Sequence, residues 1–377
     1  MRIAIIGDFE LSENYPNTKY FIEALGKDSR FEVLRCSGRV GKDRRLYEST
    51  RSIFGSLLNL IKIMLNALNA AITIRRYSNE TCDVIYLPYP AVFVAFFAAF
   101  LARRGSSSPP IVMDSFISVY DTAVFDREML KPGGLLAKLL RYIERTAISR
   151  ADYVITDTVS NAKHMSHLFD ADLRKYKAIN LCINETLFQP QEADAREAMR
   201  VLFVGSFVPL QGAEVVAEAA VILGQRKDIQ FHIAGDGQTS SQVAELLKGQ
   251  EVNLNWQRRW HSITEISELY ASADVCLGVF GLTAKARRVL PYKVYMALAC
   301  GKPVVSLRPD GDVIVAQEPP FVAVDEVSGE ALAEELIKLA ESESERMRYG
   351  KAGRHYYESY LSNSQALDSF YKFIQEL

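Results

Sequence analysis

Ten short runs of β-branched and aliphatic residues punctuate this chain: RIAIIGD, FEVLRC, DVIYLPY, PIVMDSF and DYVITDT, then VLFVGSF, IQFHIAGDG, VNLNW, DVCLGVF and KPVVSL. Most are separated by segments long enough to be helices. Short continuous apolar runs fit strands covered on both faces, and strands alternating with helices build βαβ units. The pattern predicts an α/β chain of doubly wound parallel sheets. Two such series predict two domains, and 377 residues are too many for one ordinary core.

The seam is expected at FQPQEADAREAMR, residues 188–200, a polar stretch containing a proline. That divides the chain into 1–190 and 198–354. The tail YYESYLSNSQALDSFYKFIQEL has helical periodicity, and a final helix over 355–377 is expected to pack back on the first domain.

Composition excludes several classes. With 49% hydrophobic and 24% charged residues and a net charge of −2, the chain is neither disordered nor a nucleic-acid binder. The charge is unevenly divided, with 25 Lys+Arg against 20 Asp+Glu up to residue 190 and 19 against 26 after it. Five scattered cysteines with no CxxC, and an N-terminus that turns polar at MRIAIIGDF, point to a reducing, cytoplasmic protein.

Two apolar stretches raise the question of a membrane. AVFVAFFAAFLA at 91–102 is far short of the ~20 residues a spanning helix needs and reads as a buried helix. SLLNLIKIMLNALNAAITIRR carries one narrow polar stripe of Asn59, Lys62, Asn66, Asn69 and Thr73 on an otherwise apolar helix. The basic run RVGKDRR at 39–45 precedes it. Together they read either as an element lying on anionic headgroups at the inner membrane face or as a core helix behind a solvated loop.

In open parallel sheets ligands bind beyond the carboxyl ends of the strands, where strand order reverses, so the loops there carry the candidate chemistry. Gly7 and Asp8 begin the loop after the first run. The segment GSFVPLQG holds Gly205, Ser206, Gln211 and Gly212 ahead of a helix, whose N–H groups suit an anion. Gly235 and Gly237, in GDGQ after FHIA, free the backbone to approach a ligand or simply make a turn. GDGQTS echoes the dinucleotide fingerprint, but Ser240 stands for its third glycine and the run follows the wrong strand.

Lys285, Arg287, Arg288 and Lys293 fall within nine residues and repel one another unless an anion joins them. A diphosphate fits that need, Arg offering a bidentate fork and Lys a compact charge. A solvated run is the plain alternative, above all for Arg287. After the fourth run, Asp114, Ser115, Ser118, Tyr120, Asp121, Asp126 and Arg127 crowd one loop. Carboxylates there can orient an acceptor hydroxyl or take its proton, or they cap helices and turns. His164 and His167 have HxxH spacing without a third ligand, so no metal site is expected and a solvated helix face is the better reading.

Taken together, VLFVGSFVPLQGAEVVAEAAVIL, FHIAGDGQ, ISELYASADVCLGVFG and YKVYMALACGKPVVSL resemble the donor domain of GT-B glycosyltransferases of family 4. The first domain, through DSFISVYDTAVFDR and ADYVITDT, resembles an acceptor domain of that family. The resemblance implies two Rossmann-like domains and a metal-independent transfer with retention. The sugar would pass from a nucleotide diphosphate donor to a glycan or lipid-linked acceptor, with no bound cofactor.

It further implies catalytic roles for Asp114, Lys285 and Arg288. Donor contacts would fall to Gly7, Gly205, Ser206, Gln211, Gly235, Gly237 and Lys293, and acceptor contacts to Ser118, Tyr120 and Asp121. The chain departs from the family pattern where Ser206 and Gln211 replace donor-loop cations and where Arg288 and Met296 replace a glutamate pair. A catalytically silent subunit or sugar-nucleotide binding module is therefore the rival reading, with an epimerase on the same fold a third.

Overall fold

A computed structural model describes residues 1–36, 53–77, 81–101, 108–191, 197–315 and 318–377. The basic run at 39–45 lies outside them. Two compact units result, one of Met1–Cys182 with Asn363–Leu377, the other of Ile183–Ser362.

In the first unit, β1 (Arg2–Ile5), β2 (Glu32–Cys36), β3 (Val84–Leu87), β4 (Ile111–Asp114), β5 (Tyr153–Thr156) and β6 (Tyr176–Ala178) form a sheet in the order β2-β1-β3-β4-β5-β6. Every pairing is parallel. Side chains alternate across it, as strand geometry requires. Ile3, Ile5, Val84, Tyr86 and Val112 enter one core, whereas Ala4, Ile6, Ile85, Leu87 and Met113 enter the other. Both faces are thus covered, which is why the runs read as continuously apolar.

The final helix, Asn363–Gln375, joins this unit. Phe370 is fully buried against Phe21, Phe31 and Tyr86 at centroid distances of 5.2, 6.0 and 5.6 Å. Burying a phenylalanine of this kind contributes about 2–3 kcal/mol. Arg30 adds a 2.6 Å ion pair to Asp368. The chain changes unit at Ser362 rather than at 355, because Tyr357–Leu361 continues the preceding helix within the second unit. Residues 183–190 belong there as well: the Phe188 ring meets Tyr270 edge-on at 5.7 Å, and Tyr357 Oη donates to Glu185 at 2.8 Å.

The second unit repeats the plan. Strands β7 (Met199–Val204), β8 (Ile229–Ala234), β9 (Leu254–Gln257), β10 (Val275–Leu277), β11 (Val304–Leu307) and β12 (Val322–Val324) run parallel in the order β12-β11-β10-β7-β8-β9. The two strands absent from the sequence reading, β6 and β12, are three-residue edge strands. Runs that short carry no periodicity, and a neighbouring strand draws them into the sheet.

The stripe expected on the helix Ile53–Ile74 is outward only in part, at Lys62 and Asn69, with the side chain of Asn59 outside those described. Thr73 is buried and donates to the Asn69 carbonyl at 3.0 Å, while Ile61, Leu65 and Ile72 are exposed beside Lys62 and Asn69. In the helix Val92–Leu101, Val92, Val94, Ala95 and Ala98 are buried as expected of a core helix, but Phe100 stands out to solvent.

Candidate functional site

The strand order of the second unit reverses at β7, which is flanked by β8 on one side and β10 on the other. Loops leaving the carboxyl ends of these three strands define its candidate site. They interlock backbone to backbone. Gly205 N–H donates to Ala234 O at 2.9 Å, Phe280 N–H to Gln211 O at 3.1 Å and Gly281 N–H to Leu210 O at 3.1 Å.

Glycine is what permits this approach. A Cβ on Gly235, whose φ is +130°, would lie 1.8 Å from the Gly205 carbonyl oxygen, and one on Gly237 would lie 1.9 Å from that of Ser206. The conformational freedom of these glycines serves close contact between loops.

Gln211 occupies the place where the family resemblance leads one to expect a cation, and its side chain closes the loop on itself. Its Oε1 accepts the Phe207 N–H at 3.0 Å, and its Nε2 reaches Ser206 Oγ at 3.5 Å. Phe207 was not singled out in the sequence, yet it is fully buried in the left-handed region at φ +47°. Stacking on Trp256 (5.4 Å, 10°) and an edge contact with Phe203 (5.9 Å) hold it there. Bulky residues in that region store about 1–3 kcal/mol of strain, and such outliers concentrate at functional sites.

The four cations do not form one solvated run. Arg287, expected in solvent, donates to the carbonyls of Arg308 (3.0 Å) and Asp325 (2.7 Å), tying the helix Lys285–Arg288 to the ends of β11 and β12. Lys285, at the start of that helix, is buried, and the helix packs against Pro209–Gln211 of the β7 loop. Arg288 is half-buried.

Lys293 is buried too, within the helix Tyr292–Ala299. Its Nζ has no hydrogen-bond partner among the described residues and sits 3.8 Å from the centroid of the Phe203 ring. Burial pushes its pKa well below the usual lysine range. The same ring borders Gly205, the first residue after β7. Met296, on the same helix, packs in the core.

In the first unit, the residues after β4 separate into distinct roles. Asp114 is buried at the strand's end, where its Oδ2 accepts the Tyr86 hydroxyl at 2.7 Å and its Oδ1 accepts the Phe116 N–H at 3.2 Å. Burial raises its pKa to about 6. Ser118 caps the turn Val119–Asp121, its Oγ accepting the Asp121 N–H at 3.1 Å. The Tyr120 ring belongs to the core, edge-on to Phe125 and Phe169 at 5.8 and 6.2 Å. Asp121 Oδ1 meets His164 Nε2 at 2.9 Å, so His164 is not on a merely solvated face. Gly7 packs against Phe9 and Pro88.

Glu144 escaped the sequence reading because it lies 23 residues beyond Asp121, inside the ordinary-looking helix Leu135–Arg150. It is fully buried and accepts the N–H groups of Val119 (3.2 Å) and Tyr120 (2.8 Å). Burial is the largest cause raising its pKa to about 7, with Asp121 adding to it. A carboxyl raised in the folded state favours folding most below its unfolded value of 4.5, and that contribution is lost as pH climbs through about 7. Glu144→Gln is therefore expected to flatten the decline in thermal midpoint between pH 4.5 and 7. A profile parallel to that of the parent chain would contradict this assignment.

Residues 198–342 match the family model described as "Glycosyl transferases group 1". A curated relative, the D-inositol 3-phosphate glycosyltransferase of Segniliparus rotundus, is 23% identical over 232 residues, 56% of this chain. The match spans about half of that relative, 49% of its length.

Among solved structures, Anabaena Alr3699/HepE in complex with UDP and glucose matches at a TM-score of 0.69 and 16% identity, with both chains covered fully. Sucrose-phosphate synthase from Thermosynechococcus elongatus matches at 0.70 and 16%, covering 100% of this chain and 98% of the other. At such identities these likenesses establish the fold, two parallel α/β sheets in tandem. The second unit is thus similar to the group 1 glycosyl transferases over residues 198–342, and the chain shares the GT-B fold of these structures.

Proposed function

We propose that this chain moves a sugar from a nucleoside diphosphate donor, bound at the loops after β7, β8 and β10, to a hydroxyl of a glycan or lipid-linked acceptor, with retention. The observation that carries the reading is a pair of buried lysines near β7, where strand order reverses: Lys285 on a short helix packed against Pro209–Gln211, and Lys293 over the Phe203 ring of β7. As the bond from the sugar's anomeric carbon to the phosphate oxygen breaks, negative charge grows on the leaving diphosphate. Fixed positive groups stabilise that charge more than they stabilise the ground state. In this reading lysines take the part a metal plays in other transferases, and Asp114 receives or orients the acceptor's proton.

The complex of HepE with UDP and glucose makes uridine the first nucleotide to try. Saturating UDP at a hundred times its dissociation constant should stabilise the chain by about 2.7 kcal/mol in a thermal-shift assay. Lys285→Ala should cost transfer or donor hydrolysis on the order of 100-fold, the scale of one preorganised group. Activity within twofold of the parent would remove Lys285 from the chemistry. Gln211 and Ser206 in place of donor-loop cations favour the silent binding-module reading, which predicts nucleotide stabilisation with neither hydrolysis nor transfer.

The acceptor is further proposed to be met at an anionic membrane surface. Helix Leu135–Arg150 buries Ala137, Ala147 and Ile148 yet exposes Leu135, Leu136, Leu139 and Tyr142 on its other side. Exposed Phe100 continues this apolar face through Phe96, and Lys131 and Lys138 flank it. No helix among the described residues is long and apolar enough to cross a membrane. Contact would be with one leaflet. The chain should float with phosphatidylglycerol liposomes at low salt, and Leu136→Glu with Leu139→Glu should abolish flotation; equal flotation of the double variant would exclude this face.

A further inference from the structure

The carboxyl edge of the first sheet holds a group of residues that the reading above leaves without a role. Three aromatic rings line the loops after the adjacent strands β1, β3 and β4. Tyr15 lies 6.2 Å from Tyr89 at an interplanar angle of 49°, and Tyr89 lies 4.7 Å from Phe116 at 57°. All three residues are half-buried.

The same loops hold buried polar atoms. Among the described residues, Glu10 Oε1, Asn14 Nδ2 and Ser115 Oγ have no hydrogen-bond partner, and Ser115 is only 1% exposed. Buried polar atoms without partners are costly, on the order of 1–3 kcal/mol each, so such a group calls for a ligand or a catalytic reason.

We propose that Tyr15, Tyr89 and Phe116 with Glu10, Asn14 and Ser115 form a binding site for an uncharged sugar ring. The chemistry selects that class. An acceptor-only carboxylate, a donor amide and a hydroxyl that does both together match a run of sugar hydroxyls, each of which donates and accepts. Aromatic faces suit the apolar C–H face of a pyranose. Charge selects against phosphate, because Asp8 and Glu10 act on the Tyr15 hydroxyl and Asp114 acts on that of Tyr89. Arg127 is the cation that acts on Tyr89. This inference rests on the transferase reading and deepens it, making the acceptor end a neutral sugar hydroxyl rather than a phosphate.

Saturation-transfer NMR on the full chain tests it, using methyl α-glucopyranoside, methyl α-mannopyranoside and methyl β-galactopyranoside alongside their 6-phosphates. At least one neutral glycoside should receive saturation on its C–H face. Its signal should fall at least fivefold in Tyr89→Ala and Tyr15→Ala, fall about threefold in Glu10→Gln, and stay within twofold in Tyr15→Phe. Glu10→Gln decides the matter if the alanine variants do not fold.

Silence from all three neutral glycosides, stronger binding of the phosphates, or unchanged signals in Tyr89→Ala and Glu10→Gln would each overturn the proposal. The UDP thermal shift, read on the same samples, reports the second unit separately. Glycoside binding without that shift would support this site while excluding UDP as the donor nucleotide.

Discussion

Replacing Gly235 by alanine is expected to disrupt the ligand edge of the second unit and to cost roughly 3–5 kcal/mol of stability. Two effects combine. A φ of +130° is a conformation L side chains rarely adopt, and the new Cβ would lie 1.8 Å from the Gly205 carbonyl oxygen, a fixed backbone atom rather than a side chain able to swing away.

The β7 and β8 loops would have to separate, breaking the 2.9 Å bond from Gly205 N–H to Ala234 O or moving Gly205 out of register. Nucleotide stabilisation should disappear with it, since the loops proposed to hold the donor would no longer meet. Gly249→Ala is the control. It has φ +72° but nothing within 4 Å of an added Cβ, so it should lose only about 1 kcal/mol. Denaturant midpoints of the two variants settle the point: a Gly235→Ala chain no weaker than Gly249→Ala would mean the loops are not packed as described.

Lys293→Met should separate stability from activity. The amine is buried without a hydrogen-bond partner among the described residues, so an unbranched apolar side chain of similar length should stabilise the unliganded chain by about 1–3 kcal/mol at pH 7. The ring face of Phe203 returns part of the burial cost while the amine is charged. Transfer should fall 100-fold or more if this amine meets the leaving diphosphate.

The pH dependence has a definite sign. Because burial lowers the folded-state pKa, the unfolded chain binds more protons over the interval between that value and 10.5, and parent stability rises with pH there by up to about 1.4 kcal/mol per pH unit. The methionine variant lacks that rise. Parallel pH profiles for the two chains would show that Lys293 does not titrate as its surroundings dictate.

Sequence alone was enough for the fold class. Ten of the twelve strands among the described residues announce themselves as apolar runs, because a strand covered on both faces must be apolar at successive positions, and helical spacers leave only parallel pairing. The loops at the carboxyl ends followed from the same pattern. β6 and β12 stayed hidden because three residues hold too little pattern to distinguish from a loop.

What only the tertiary structure decided is the task of each polar residue. In the sequence Lys285, Arg287, Arg288 and Lys293 are one basic run. In space Arg287 binds carbonyls, while Lys293 lies under a ring contributed by β7, 90 residues earlier in the chain. Ser118 and Tyr120 proved to be a cap and a core ring, whereas Glu144, Phe207 and the Tyr15–Tyr89–Phe116 group emerged only when distant segments met. Periodicity is local and is written along the chain. Desolvation and hydrogen-bond geometry depend on neighbours brought from elsewhere, so they are fixed only once the sheet has folded.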